Sequence, residues 1–264
     1  MSERITITKL KEMKSTGEKI ACLTSYDATF AKVQDEAGID VLLVGDSLGM
    51  VLHGDNTTRG VTMDDMVYHT RLVSSVRQRA LIISDMPFQS YTTPEQAVKN
   101  AMRLVNEGGA DMVKLEGGEE ITEVITAIKQ KGISICGHLG LTPQSYSTSA
   151  GFKVQATTKE TAEKLKQDAL AIQKAGCDCL VFECIPANVA RDVTQELNIP
   201  TIGIGAGVDC DGQVLVIYDM LGITEKKFRF LKNFLKGNDS IADAIKAYVI
   251  EVKNKTFPAT EHFF

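Results

Sequence analysis

Eight short apolar runs, most of them followed by a turn and an amphipathic helical stretch, constrain this chain more than any other feature. They cover residues 20–24, 41–45, 81–84, 112–115, 133–137, 179–182, 201–205 and 214–218. Several are apolar at consecutive positions, as in Val41-Leu42-Leu43-Val44, which suits parallel strands covered on both faces. Strands that alternate with helices build right-handed βαβ units. Eight such units favour a closed (β/α)8 TIM barrel over an open doubly wound sheet, and a barrel of this kind takes roughly 250 residues. The chain has 264, so the expected organisation is one domain over residues 1–264, with no Pro- or Ser-rich linker dividing it.

The helical stretches carry start and stop signals of their own. Thr93-Pro94-Glu95 reads as an N-cap followed by proline at the first helical position. Ala97, Ala101, Leu104 and Val105 then share a face, and Gly108-Gly109 ends the helix. Segments 62–79, 119–131, 158–175 and 187–198 read similarly, the last stopped by Pro200. The link 206–212 is too short for a full helix, so the seventh unit is degenerate. Residues 5–17 precede the first strand and are expected to form a helix closing the barrel floor.

Polar residues gather at the ends of these runs. The second leads into Asp46-Ser47, the third into Asp85, the fourth into Lys114-Leu115-Glu116, the fifth into His138 and the sixth into Glu183. Parallel barrel strands point their C-terminal ends to one face, where active sites are built. Carboxylates brought together there repel unless a proton or cation compensates them. Oxygen donors suit a hard cation such as Mg2+, with Asp46 and Asp85, ending adjacent strands, as the candidate ligands. An isolated Asp after a strand is more often a turn former; recurrence over five strands favours a site. Lys114 either pairs with Glu116 or Glu183 or anchors a substrate carboxylate. His138 reads equally as a hydrogen-bonded core residue or as part of the site. The glycines of Gly203-Ile204-Gly205-Ala206-Gly207 fit a phosphate cradle or a tight mouth turn.

A formal charge of -5 argues against a nucleic-acid binder. No apolar run approaches membrane-spanning length and the N-terminus lacks a signal-peptide core, so a cytoplasmic protein acting on small molecules is expected. Cys177 and Cys179 are expected to share one face of a strand, as buried reduced thiols rather than a zinc site.

Several ordered motifs resemble the ketopantoate hydroxymethyltransferase family. They are Thr24-Ser25-Tyr26-Asp27, Val44-Gly45-Asp46-Ser47-Leu48-Gly49, Asp64-Asp65-Met66-Val67-Tyr68-His69-Thr70-Arg71 and Asp85-Met86-Pro87-Phe88. Val113-Lys114-Leu115-Glu116-Gly117-Gly118, the stretch from Gly137-His138 to Pro143-Gln144-Ser145, residues 203–207 and Asp211-Gly212-Gln213-Val214 continue the likeness. It extends from about residue 5 to the C-terminal Phe257-Pro258 and Glu261-His262. The resemblance implies a barrel of the phosphoenolpyruvate/pyruvate type, assembled as a homodecamer. It implies one Mg2+ per subunit and hydroxymethyl transfer from 5,10-methylenetetrahydrofolate to 3-methyl-2-oxobutanoate, giving 2-dehydropantoate for pantothenate biosynthesis. Folate rests on the resemblance alone.

Carried over by motif, the metal aspartates fall on Asp46 and Asp85, with Glu116 reaching the metal through water. Substrate contacts fall on Asp46, Ser47, Asp85 and Lys114, and the base on Glu183, whose acidity Val181 and Phe182 are expected to tune. Tyr218 stands where the family pattern has histidine. Ala156-Thr157-Thr158 replaces a Gly-Arg/Lys ending of the loop Gly151-Phe152-Lys153-Val154-Gln155, and Phe230-Leu231-Lys232-Asn233-Phe234 is a looser version of Phe-Val-Lys-x-Tyr. Two other readings remain at this point: a metal-dependent lyase or mutase of the same barrel type, and a barrel that binds a metabolite without turnover.

Overall fold

The computed structural model describes residues 3–145, 153–224 and 227–264. Its strands are β1 (Ile20–Thr24), β2 (Val41–Val44), β3 (Leu81–Asp85), β4 (Met112–Glu116), β5 (Ser134–Gly140), β6 (Cys179–Glu183), β7 (Thr201–Ile204) and β8 (Gly212–Leu215). They pair in parallel, in sequence order, and β8 closes on β1. The expected (β/α)8 barrel is the fold. Around it run α1 (Ile7–Thr16), α2 (Ala28–Glu36), α3 (Leu48–Val51), α4 (Met63–Ser74), α5 (Pro94–Asn106), α6 (Thr122–Lys129), α7 (Lys159–Ala175), α8 (Ala187–Glu196), α9 (Ile217–Met220) and α10 (Ile241–Lys253).

Alternation along each strand divides the core into two layers. Val41 and Leu43 of β2 point into the barrel, while Leu42 and Val44 meet the helices. Leu10 and Met13 of α1 pack with Ile20, Val41, Leu81 and Met112, the first residues of four strands, and so close the floor as expected.

Four aspartates at that floor repeat one arrangement. Asp40, Asp111 and Asp178 each precede an even strand. Their carboxylates accept the backbone N–H of Ala21, Ile82 and Ile135, while their own N–H groups donate back to the same residues' carbonyls. A left-handed glycine, Gly38, Gly109 or Gly176, stands two residues before each and turns the chain out of its helix. Asp211 likewise accepts Thr201 N–H, but its own N–H donates to the Thr201 hydroxyl and no helix precedes it, which is the degenerate unit.

Several boundaries depart from the sequence reading. The fifth run extends to Gly140, putting His138 inside a strand, because β5 and β6 stay paired up to Glu183. The last strand begins at Gly212 and ends before Ile217, whose N–H is taken by Thr24 Oγ1 as α9 starts. The helix expected over 62–79 stops at Ser74, since Asp35 binds the N–H groups of Gln78, Arg79 and Ala80. Cys177 and Cys179 do not share a face: Cys177 precedes the strand and packs among the helices, whereas Cys179 points into the barrel. Thr158 caps α7, explaining one departure from the family pattern, while Gly151 and Phe152 lie outside the described residues.

Candidate active site

At the opposite end from α1, a cavity of about 850 Å³, counted to its open mouth, is lined by Asp46, Ser47, Asp85, Lys114, Glu116, His138 and Glu183. All seven polar residues picked out at the strand ends therefore meet in one place. Parity explains it. Lys114 and Glu116 follow Met112 on the inward face of β4, Asp85 follows Leu81 and Ile83 on β3, and Glu183 follows Cys179 and Val181 on β6. Phe182 takes the outward parity and is buried among the helices, so it cannot tune Glu183; Val181, Ile204, Val214 and Phe230 supply the apolar wall instead. Beyond Glu183 the chain turns sharply through Cys184 in the left-handed region, φ 49, a strained conformation of the kind found at functional sites.

The charged groups are in close contact. Asp46 N–H donates to Asp85 Oδ2 at 3.0 Å. Lys114 Nζ stands 3.2 Å from Asp85 Oδ1 and 3.4 Å from His138 Nδ1. The lysine's partner is thus Asp85 rather than Glu116 or Glu183. His138 lies between the two glutamates, with Nδ1 3.4 Å from Glu116 Oε1 and Nε2 3.3 Å from Glu183 Oε2. Its open reading resolves in favour of the site: it is buried, but in the cavity wall.

Burial, then the charges of Asp85 and Glu116, push the Asp46 carboxyl well above its ordinary value. Burial pushes Asp85 up as well, against the pull of Lys114. For Lys114 burial acts downward, but Asp85, Glu116 and Asp46 outweigh it and hold the ammonium charged. Burial and Lys114 oppose a charge on His138, yet Glu116 and Glu183 raise it to about 9. For Glu116 burial acts upward and is overcome by His138 and Lys114, so the glutamate stays ionised.

Four acids, Asp46, Asp85, Glu116 and Glu183, share this cavity with only Lys114 and His138 as basic partners, and burial and crowding disfavour charge on the two aspartates. Asp85 Oδ1 is buried with no aligned hydrogen bond. Both observations fit a divalent cation, with Asp46 and Asp85 as its carboxylates. Glu116 is further committed, one oxygen accepting Gln144 N–H at 3.0 Å and the other facing His138. Among the described residues no group of three or more His, Cys, Asp or Glu side chains could hold a metal ion by itself.

Sequence reasoning missed two neutral residues here. Gln144 Nε2 donates to Asp46 Oδ2 at 2.8 Å, and Tyr26 Oη lies 2.8 Å from Ser47 Oγ. Both sit inside the quoted motifs, which was the available signal. Gly203 lies in β7, and Gly205 and Gly207 follow it with positive φ, where a Cβ on Gly205 would meet Phe230 at 3.0 Å and one on Gly207 would meet Ala187 Cβ at 2.6 Å.

Solved structures share the fold. A phosphonopyruvate hydrolase in complex with oxalate and Mg2+ is similar to the chain with a TM-score of 0.63 and 11% identity, covering 82% of this chain and 83% of its own. A 2,3-dimethylmalate lyase, a member of the phosphoenolpyruvate mutase/isocitrate lyase superfamily, gives 0.59 and 18% over 82% of each chain. At such identities the likeness fixes the fold alone, a (β/α)8 barrel.

The sequence is more specific. The pattern of ketopantoate hydroxymethyltransferase matches residues 4–260. The 3-methyl-2-oxobutanoate hydroxymethyltransferase of Nitrosococcus oceani is 53% identical over 259 residues, 98% of each chain. The chain belongs to the ketopantoate hydroxymethyltransferase family.

Proposed function

We propose that this chain, working as one domain, transfers a hydroxymethyl group from 5,10-methylenetetrahydrofolate to 3-methyl-2-oxobutanoate, yielding 2-dehydropantoate for pantothenate biosynthesis. The observation that carries this reading is the meeting of Asp46, Asp85, Lys114 and Glu183 in one apolar-walled cavity, in a chain of this family. Asp46 and Asp85 would hold Mg2+, with Glu116 reaching it through water. When bound, the cation withdraws charge from the keto oxygen and makes the C3 hydrogen more acidic.

The residues do the rest. Ser47 and Lys114 hold the substrate carboxylate, and Val181, Ile204 and Val214 face its branched alkyl group. Glu183 takes the C3 proton, with the His138 imidazole 3.3 Å from its Oε2 offsetting the carboxylate charge. The electron pair left at C3 forms the new bond to the folate methylene carbon. Both methylene–nitrogen bonds of the folate break, one as C3 bonds to the carbon and the other as water supplies the hydroxyl, and the two nitrogens take up the C3 proton and the water proton as tetrahydrofolate departs. The proposal includes a homodecamer with no nucleic-acid or membrane partner. Among the described residues no helix is long and apolar enough to cross a membrane, and a cytoplasmic location belongs to the same reading.

Glu183→Gln tests it. In deuterated water the wild type should exchange the C3 hydrogen of 3-methyl-2-oxobutanoate without folate, and the variant should not. Mn2+ and oxo-acid binding should persist in the variant. Undiminished exchange by Glu183→Gln would remove that residue from the base role.

A further inference from the structure

Gln144 occupies an unusual position for a neutral side chain, buried in the charged cluster it does not belong to. Its Nε2 donates to Asp46 Oδ2 at 2.8 Å and to the Met86 carbonyl at 3.0 Å. A carbonyl only accepts, so the amide nitrogen must be on that side. The remaining amide oxygen accepts from Tyr91 Oη at 2.6 Å. Its backbone N–H donates to Glu116 Oε2 at 3.0 Å, and its carbonyl accepts from Arg59 Nε at 2.8 Å. Arg59 in turn lies over the Phe88 ring, 4.7 Å from its centroid. One residue after β5 thereby ties together the ends of β2, β3 and β4.

The geometry points to Gln144 as a positioning residue that sets the two acids of the cation site, acting through Asp46 and Glu116 rather than on substrate. It occupies one oxygen of each carboxylate. The other oxygen of Asp46 is left for a ligand, while the other oxygen of Glu116 faces His138. It also satisfies buried carboxylate oxygens without adding charge, so the excess of acids over bases in the cluster is kept. Groups that hold metal ligands in place typically change affinity by about ten- to a hundred-fold when lost. Tyr91 completes the device. Its hydroxyl fixes the rotation of the amide while accepting from Glu116 N–H at 3.3 Å.

This inference rests on the metal reading of the site, and Mn2+ alone separates the two. Wild-type protein titrated with Mn2+ and followed by electron spin resonance should show saturable binding; absence of binding overturns the metal reading before any variant is made. Gln144→Met keeps the length but neither donates nor accepts strongly. Its Mn2+ dissociation constant should rise about ten-fold or more, and kcat should recover at saturating metal, which a damaged fold would not allow. Tyr91→Phe, which removes a single hydroxyl, should raise it about three-fold. Wild-type Mn2+ affinity in a folded Gln144→Met, or in Tyr91→Phe where the first variant does not fold, would overturn the role. So would a kcat that stays low at saturating Mn2+.

Discussion

The two ends of the barrel treat the same residue type in opposite ways. At the floor each aspartate is matched. Asp40 meets Arg79 and Lys253, Asp111 meets Arg4 and Arg77, Asp178 meets Lys11 and Lys129, and Asp211 meets Lys14, each while holding a backbone N–H. At the mouth Asp46, Asp85, Glu116 and Glu183 share one lysine and one histidine. Paired acids anchor strands; crowded acids leave charge for something else to neutralise. Exposure does not separate them, since Asp40 and Asp46 are both almost fully buried. The balance of partners does.

The sharpest test replaces charge at the mouth. Asp46→Asn keeps an oxygen for Gln144 but removes a metal ligand. With several kcal/mol of charge stabilisation lost, turnover should fall about a thousand-fold. Stability should move the other way. In metal-free protein the raised Asp46 pKa means the folded state holds that proton more tightly than the unfolded chain. The group therefore costs stability as pH rises above the ordinary Asp value of about 3.9. At neutral pH with chelator, Asn should leave Tm unchanged or higher. A falling Tm would place Asp46 among the structural acids.

The matching change at the floor is Asp40→Ala. It strands Arg79 and Lys253 beside an unpaired Ala21 N–H and should cost about 3 kcal/mol, lowering Tm by roughly 6–12 °C at this chain length. Turnover per folded molecule should hold. Calorimetry and active-site-normalised kinetics read both. Loss of activity without loss of Tm would erase the distinction between the ends.

How much of this was legible follows from parity and charge. The barrel and the rim acids could be read because run length, apolarity and strand-end position are local properties of the sequence. Phe182 was misjudged although the rule was available: Glu183, Val181 and Cys179 share a face that Phe182 cannot. Cys177 shows the rule's limit, since parity applies only inside a strand and β6 starts at Cys179. The floor repeat was visible as Gly38-Ile39-Asp40, Gly109-Ala110-Asp111 and Gly176-Cys177-Asp178, three spellings of a helix stop and a strand anchor. Gln144 and Tyr26 were legible only through the motifs that contain them, not as site residues from any local pattern. Neutral side chains in loops become functional through the way the loops fold back, and no local pattern encodes that path.

Tyr26 and Tyr248 carry the comparison to a single hydroxyl, and the smallest expected effect. Both are fully buried. Tyr248 Oη lies 2.9 Å from the carbonyls of both Cys22 and Gln213, which share its one proton, tying α10 to the barrel wall. Tyr26 Oη instead meets Ser47 Oγ, and its ring stacks on Tyr218 at 5.9 Å, which gives the residue at the family's usual histidine position a packing role. Tyr26→Phe keeps the stack and frees Ser47 to rotate. One hydrogen bond is worth about 1 kcal/mol, so KM for the oxo acid should rise roughly five-fold with kcat nearly constant, the pattern of lost uniform binding. Tyr248→Phe should lower Tm by a few degrees and leave KM alone. Were Tyr26→Phe to lower kcat at constant KM, Ser47 would be acting on the transition state rather than holding the carboxylate.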